Sequence, residues 1–308
     1  MVDTVFIQPG IPGARSKAPS LGSTENLGLG YLAAIALRDG HGASIIDADG
    51  LGLSPEVVAT RASSAKPDIV CLSPVAESMG AALEIATLIK ARTGAFVAFG
   101  GHHASNCYRE ILEYEAAVDA VALGDAERTF ARVLAQWPTV EPGPSFVTRD
   151  NLSSDKHHRY QETELDGLPW PHRPGLGTTM YGDEARLLTS RGCPYRCAFC
   201  TTPVMYDTVT HRSINDVVAE MRNLAERGVR HIWLNDDLFV VGSNTGLKRV
   251  REFCEAVRSA DLGVSFRPMA RVDSFRKDLT LIDDLIAAGM SHIFLGIESG
   301  SDADLRRL

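Results

Sequence analysis

This chain of 308 residues has no excess of positive charge and no long apolar run. Lys and Arg together number 31 against 39 Asp and Glu, which gives a formal net charge of −8. A general nucleic-acid-binding protein needs a basic face to neutralise phosphates, so the charge does not favour that class. No apolar run approaches the roughly 20 residues that span a bilayer, and the N-terminus lacks the basic segment of a signal peptide. We expect a cytoplasmic protein that binds neither nucleic acid nor membrane.

Cysteine is scarce and unevenly distributed. The six cysteines do not form the spacing pattern of a secreted disulfide framework. Three of them, Cys193, Cys197 and Cys200, have the spacing C-x3-C-x2-C directly after a strand-like run that ends at Ser190. Three thiolates on one loop can bind three irons of a 4Fe–4S cubane and leave the fourth iron for an external ligand. The spacing therefore indicates an iron–sulfur cluster.

Two other interpretations of these cysteines stay open. A structural zinc site would need a fourth protein ligand, and His211, beyond a long and irregular spacer, is the nearest candidate. Alternatively, the three residues are reduced structural thiols, as we expect for Cys71, Cys107 and Cys254. We favour the cluster because solvent-facing cysteines this close together are rarely idle.

Short apolar runs alternate with helical segments through residues 1–140, which predicts a doubly wound, Rossmann-like parallel sheet. Ligands of such sheets bind beyond the carboxyl ends of the strands. A long loop from Pro9 to Gly30 follows the first predicted strand, Ser73 follows the third, and Gly100 and Gly101 follow the fourth. A nucleotide-binding, flavodoxin-like domain is one alternative, although the first loop lacks G-x-G-x-x-G.

The rest of the chain predicts a linker and a second α/β domain. Residues 141–183 are rich in proline and have little periodicity, which is typical of a linker. Residues 184–308 repeat strand and helix about four times, as in a barrel of parallel strands whose active site lies at the strand carboxyl ends. Those ends carry the cysteine loop, Asp236 and Asp237, Arg271, and Glu298.

The cysteine motif, with Phe199 directly before the third cysteine, resembles that of the radical S-adenosylmethionine (radical SAM) superfamily. Residues 1–140 are similar to the cobalamin-binding domain that precedes many radical SAM domains. The segment L-D-G-L-P-W-P at residues 165–171 is similar to one that commonly leads into the barrel of that family. The resemblance implies a partial barrel, because family barrels have six strands and four are counted here. We therefore expect a truncated chain or one completed by a partner.

The resemblance also implies roles for individual residues. Cys193, Cys197 and Cys200 would bind the 4Fe–4S cluster. Phe199, Asp236, Arg271 and Glu298 would contact S-adenosylmethionine. Ser73, Gly100 and Gly101 would line the slot for the nucleotide tail of cobalamin.

Two positions depart from the family pattern. Asn235-Asp236-Asp237 stands where a G-G-E motif usually helps to hold the amine of S-adenosylmethionine. The first loop has no histidine, whereas cobalamin domains of mutases carry D-x-H-x-x-G there. If cobalamin binds, we expect no histidine beneath the cobalt.

The implied function is reductive cleavage of S-adenosylmethionine followed by cobalamin-dependent methyl transfer to an unactivated carbon of a small molecule. A reductant such as flavodoxin or ferredoxin would be the electron-donating partner. Two alternatives stay open. One is a radical SAM enzyme without cobalamin, either methylthiotransferase-like or an oxidative cyclase. The other is a non-catalytic, truncated remnant that binds cobalamin only.

Overall fold

The computed structural model describes residues 1–11, 13, 25–176 and 181–307. It consists of two compact units. The first comprises Met1–Glu162 and Leu168–Pro174, and the second comprises Thr163–Gly167 and Gly175–Leu308. Most of the loop predicted to hold a ligand between Pro9 and Gly30 lies outside the described residues.

The first unit is built on a six-stranded sheet with the order β2-β1-β3-β4-β5-β6. Its strands are β1 (Asp3–Gln8), β2 (Gly42–Asp47), β3 (Ile69–Leu72), β4 (Phe96–Phe99), β5 (Ala120–Ala122) and β6 (Phe146–Thr148). All neighbouring strands are parallel except β5 and β6. The predicted doubly wound sheet is therefore confirmed, while β6, inside the predicted linker, was not foreseen.

Helices cover both faces of this sheet. They are α1 (Leu27–Arg38), α2 (Ala48–Leu51), α3 (Pro55–Ser64), α4 (Met79–Arg92), α5 (Gly101–Asn106), α6 (Tyr108–Tyr114) and α7 (Glu127–Gln136). Alternate residues of a strand point to opposite faces. Accordingly, Val5 and Ile7 pack in the core with α3 and α4, whereas Phe6 packs in a second core with α1 and α7. Burial on both faces explains why the inner strands β3, β4 and β5 are continuously apolar.

The second unit contains parallel strands followed by helices. Its strands are β7 (Glu184–Leu187), β8 (Ser190–Arg191), β9 (Thr210–His211), β10 (His231–Leu234), β11 (Ser265–Arg267), β12 (Met269–Arg271) and β13 (Phe294–Gly296). Its helices are α8 (Thr202–Met205), α9 (Ile214–Glu226), α10 (Asn244–Ala260), α11 (Leu281–Ala287) and α12 (Asp302–Leu305). Strand β10 pairs in parallel with both β7 and β11, and β12 pairs in parallel with β13.

Two features of the second unit were not predicted. Pro268, which has no N–H to donate, separates β11 from β12, and its carbonyl accepts a hydrogen bond from Phe294 N at 2.9 Å. Strands β8 and β9 form a short antiparallel hairpin on either side of the cysteine loop.

The outward faces of the parallel strands, including Leu187, Ile232 and Phe266, pack in one core with α9, α10 and α11.

Strand β13 has exposed apolar side chains, Phe294 and Leu295 among them. Within the described residues, no helix is both long enough and apolar enough to cross a membrane.

Candidate active site

The three clustered cysteines lie on the loop between β8 and β9, and each is a partly exposed free thiol. Cys200 N donates to Cys197 O at 3.0 Å, and Cys200 Sγ accepts from Thr202 N at 3.4 Å. Gly192 opens the loop with a φ of +87°, and a Cβ there would lie 2.5 Å from Thr208 O. Only glycine fits that combination of backbone conformation and close approach.

The donor set fits a cubane cluster. No three His, Cys, Asp or Glu side chains within residues 1–11, 13, 25–176 and 181–307 are gathered around a point that a single metal ion would occupy. A 4Fe–4S cluster makes a different demand, because each cysteine binds a separate iron. Burial raises the pKa of the Cys193 thiol, and the nearby Asp237 carboxylate raises it further. The three residues would hold the cluster as thiolates.

Asp237 ties the two ends of the cysteine loop together. Its Oδ2 accepts a hydrogen bond from Gly192 N at 2.9 Å, just before Cys193. Its Oδ1 accepts from Thr202 Oγ1 at 3.0 Å, just after Cys200. One carboxylate at the end of β10 therefore fixes both sides of the segment that carries the thiols.

Asp236 is only 3% exposed, and its carboxylate bonds to the segment that leads into the cysteine loop. Its Oδ1 accepts from Thr189 N at 2.6 Å, and its Oδ2 accepts from the hydroxyls of Thr189 and Ser190 at 2.5 and 2.7 Å. Burial raises the pKa of this carboxyl, and the bonds from Thr189 and Ser190 act in the opposite direction. The prediction gave Asp236 the amine of S-adenosylmethionine, but the structure uses both of its oxygens to anchor the protein chain.

A buried ionic network supports the same strand from a second side. Arg212 donates to Leu188 O at 2.8 Å and forms ion pairs with Asp216 and Glu220, each at 2.5 Å. Arg249 donates to Thr189 O at 3.2 Å and to Arg212 O at 2.8 Å. The ion pairs with Asp216 and Glu220 hold Arg212 in place, as a buried charge requires. Because both arginines bond to the carbonyls of residues 188 and 189, the network fixes the backbone just before the cysteine loop.

Arg271, at the end of β12, contacts the cysteine loop directly. One terminal nitrogen lies 3.5 Å from Cys197 Sγ, and the guanidinium carbon lies 4.2 Å from the centre of the Tyr195 ring. Nε and the other terminal nitrogen donate to Asp273 at 2.9 and 3.1 Å. The structure therefore places the predicted Arg271 beside the thiols, although the partners it makes there belong to the protein.

The two remaining predicted contacts for S-adenosylmethionine are more open. Phe199 is 57% exposed within the cysteine loop. Glu298 follows β13 with a φ of +62°, which is unusual for a residue with a side chain. Its Oε1 would lie 2.8 Å from a Cβ at Gly296, so the carboxylate folds back over that glycine.

The predicted cobalamin residues meet at the carboxyl edge of the first sheet. Gly101 has a φ of +86°, and a Cβ there would lie 2.9 Å from Ser73 Oγ. A Cβ at Gly100 would find no atom nearer than Ala122 Cβ at 3.9 Å. Ser73 and Gly101 thus form a close contact between two strand ends, next to a glycine at which a Cβ would make only an ordinary van der Waals contact. This arrangement fits a slot that admits a ligand close to the backbone.

Sequence reasoning did not assign functions to Tyr195, Asp273, Arg212 and Arg249. Tyr195 and Asp273 carried weak signals, since an aromatic residue lies between two of the cysteines and an acidic residue lies two positions after Arg271. Arg212 and Arg249 lie on separate elements, and their convergence on residues 188–189 has no local sequence signal.

Two family models match the chain. The model described as the B12 binding domain matches residues 17–134, and the model described as the Radical SAM superfamily matches residues 187–308. Together they confirm the predicted order of domains and the cofactor classes for which these families are named. The predicted boundaries at 1–140, 141–183 and 184–308 stay predictions.

The chain is also similar to curated methyltransferases. It is 25% identical over 289 residues to an uncharacterized methyltransferase of Pyrococcus horikoshii, covering 89% of this chain and 61% of that protein. It is 25% identical over 346 residues to the cytidylyl-2-hydroxyethylphosphonate methyltransferase of Streptomyces wedmorensis, covering 92% and 63%. The chain thus spans less than two thirds of the length of either relative.

A solved structure shares the fold. The cobalamin-dependent S-adenosylmethionine radical enzyme OxsB, with aqua-cobalamin and S-adenosylmethionine bound, superposes with a TM-score of 0.83 at 20% identity. The match covers 100% of this chain and 45% of OxsB. At that identity the likeness confirms the predicted fold class, and the roles of individual residues stay predictions.

Proposed function

Because this chain carries a B12-binding domain followed by a domain of the radical SAM superfamily, we propose that it is a cobalamin-dependent radical SAM methyltransferase. Its substrate would be a small molecule methylated at an unactivated carbon. The observation that carries the proposal is the C-x3-C-x2-C loop, whose partly exposed thiols lie at the carboxyl end of the strands of the second unit. A reductant such as flavodoxin or ferredoxin would supply electrons.

In this proposal the residues of the chain bind and position the cofactors. When bound, the 4Fe–4S cluster, S-adenosylmethionine and cobalamin supply the one-electron and methyl-transfer chemistry. Cys193, Cys197 and Cys200 would hold three irons and leave the fourth open to S-adenosylmethionine. Phe199 and Glu298 are the exposed side chains proposed to contact that molecule.

The scaffold residues have a separate role. Asp236 bonds to the backbone just before the cysteine loop, and Asp237 bonds to both ends of the loop. With the loop fixed, the thiols are pre-organised for a cluster, which reduces the cost of ordering them when it binds. Ser73, Gly100 and Gly101 would accept part of cobalamin at the edge of the first sheet.

Anaerobic reconstitution with iron, sulfide and cobalamin tests the proposal. We expect about four irons and four sulfides per chain, as for one 4Fe–4S cluster, with an equimolar amount of cobalamin. The variant Cys193→Ala/Cys197→Ala/Cys200→Ala should lose the cluster and retain cobalamin, whereas the control Cys107→Ala should retain both. Dithionite and S-adenosylmethionine should then yield 5′-deoxyadenosine with the wild-type chain and with Cys107→Ala, and none with the triple variant.

The other outcomes separate the alternatives. A cluster without cobalamin would indicate a cobalamin-independent radical SAM enzyme. Cobalamin without a cluster would indicate a cobalamin-binding remnant. Zinc without sulfide would refute the iron–sulfur proposal.

A further inference from the structure

The guanidinium of Arg271 is held in place from three sides. Asp273 accepts hydrogen bonds from Nε and one terminal nitrogen, the Tyr195 ring lies against the guanidinium, and the second terminal nitrogen donates to Cys197 Sγ. The hydrogen bonds from Arg271 lower the pKa of the Asp273 carboxyl, which keeps it ionised. A planar guanidinium fixed in this way is pre-organised, so the N–H that points to Cys197 does not depend on a bound ligand.

We propose that Arg271 tunes the reduction potential of the cluster through its hydrogen bond to Cys197, with Asp273 and Tyr195 as positioning residues. This inference rests on the proposed 4Fe–4S cluster. It replaces the predicted role of Arg271 as a contact for S-adenosylmethionine.

The direction of the effect follows from charge. Reduction adds one electron to a cluster that its thiolate ligands already make negative. A cationic N–H donor to a ligand sulfur stabilises the more negative, reduced state more than the oxidised state. Arg271 therefore raises the midpoint potential and makes the cluster easier to reduce.

Arg196 provides a matched control within the same loop. It precedes Cys197 directly and is exposed, and its guanidinium makes no hydrogen bond within the described part of the chain. Replacing Arg196 removes an equal positive charge next to Cys197 while leaving the hydrogen bond from Arg271 to Cys197. Comparing the two arginines separates the directed N–H from a general effect of positive charge, which water screens at exposed sites.

The experiment is a redox titration of the reconstituted full chain without S-adenosylmethionine, followed by electron paramagnetic resonance of the reduced cluster. We expect Arg271→Gln to lower the ratio of reduced to oxidised cluster about tenfold at a fixed potential, which for one electron is a midpoint about 59 mV lower. Arg271→Lys keeps the charge without the planar fork, and we expect a smaller shift in the same direction. Arg196→Gln should shift the midpoint by less than half the Arg271→Gln value.

Equal shifts for Arg196→Gln and Arg271→Gln would overturn the inference, as would an unchanged midpoint in Arg271→Gln. If Arg271→Gln fails to assemble a cluster, the midpoint of Arg271→Lys decides, and a wild-type value would refute the role. Weaker binding of S-adenosylmethionine to Arg271→Gln in a separate equilibrium-binding measurement, together with an unchanged midpoint, would restore the ligand-contact prediction. Failure of the wild-type chain to assemble any cluster would instead refute the proposed function.

Discussion

Removing the Asp237 carboxylate should loosen the cysteine loop at both ends. The change Asp237→Ala deletes the acceptors for Gly192 N and Thr202 Oγ1. A hydrogen bond to a charged group contributes about 1.5–3 kcal/mol. Because Asp237 is only partly buried, we take the lower end for each bond and expect a loss of roughly 3 kcal/mol in the local stability of the loop.

The conservative variant Asp237→Asn should lose less local stability than Asp237→Ala. Asn at position 237 keeps one carbonyl acceptor for the Gly192 N–H, and its amide can donate to the Thr202 hydroxyl, which can also accept. The loss is then mainly that of charge assistance, about 1 kcal/mol. Thr202→Val removes one of the two bonds and should cost about 1.5 kcal/mol. Since Asp237→Ala already breaks that bond, the double variant should cost no more than Asp237→Ala alone.

Hydrogen exchange of the cluster-free chain, followed on peptides that contain residues 190–204, measures this local stability. A loss of about 3 kcal/mol corresponds to exchange roughly 100-fold faster in Asp237→Ala, because each 1.4 kcal/mol is a factor of ten. Thr201→Val is the control, since Thr201 is exposed and its side chain makes no capping hydrogen bond. Iron retained after reconstitution should fall in the same order as the exchange protection.

Wild-type exchange in Asp237→Ala would refute the idea that this carboxylate fixes the loop. Additive costs in the double variant would also contradict it, because they would show that Asp237 and Thr202 act independently.

Two further predictions concern the first unit. Burial lowers the pKa of His157 below its ordinary value of 6.5, and its Nδ1 lies 3.3 Å from Tyr108 Oη. The unfolded chain therefore binds a proton at His157 more tightly than the folded chain does, so the stability present above pH 6.5 is lost as the pH falls. In urea unfolding at stepwise lower pH, His157→Gln should lose less stability than the wild-type chain. An equal loss in the variant would assign the acid sensitivity to other groups. Gly101→Ala forces a side chain into the left-handed region and against Ser73 Oγ, so we expect a cost of about 1–2 kcal/mol and weaker cobalamin binding by equilibrium dialysis. Gly94→Ala, which meets open space, should change neither, and a Gly101→Ala chain that binds cobalamin normally would remove Gly101 from the slot.

The sequence predicted what depends on local patterns. The five parallel strands of the first sheet were found because each is a short apolar run next to a glycine, proline or charged residue, and burial on both faces leaves such a run uninterrupted. Strand β6 was missed because it is three residues long and lies among prolines. Strand β12 was missed because Pro268 cannot donate to a neighbouring strand, so the pattern predicts the residues after it as the end of the preceding strand.

At the candidate active site, the cysteine motif could be predicted from the sequence but the side chains that support it could not. A ligand motif is local, so the three cysteines were identifiable from their spacing alone. The side chains that support the motif come from β10, α10 and β12, and their partners depend on tertiary geometry. Two adjacent carboxylates at one strand end show the consequence. Asp236 was given a ligand and Asp237 was left open, yet both bind the protein chain, Asp236 before the cysteine loop and Asp237 at its two ends. Sequence spacing could not separate these roles, because both residues follow the end of β10 at Leu234 and only the folded chain shows which donors each carboxylate meets.

The number of bonds that hold the loop bears on how a cluster would assemble. Residues Gly192 and Thr202 bond to Asp237, which follows β10, and Cys197 bonds to Arg271, the last residue of β12. Both side chains follow the loop in sequence. A loop held in this way loses less conformational entropy when a cluster binds than a free loop does. It should therefore acquire its binding geometry only after β10 and β12 have formed. For that reason, we expect cluster assembly to depend on folding of the second unit up to at least Asp273.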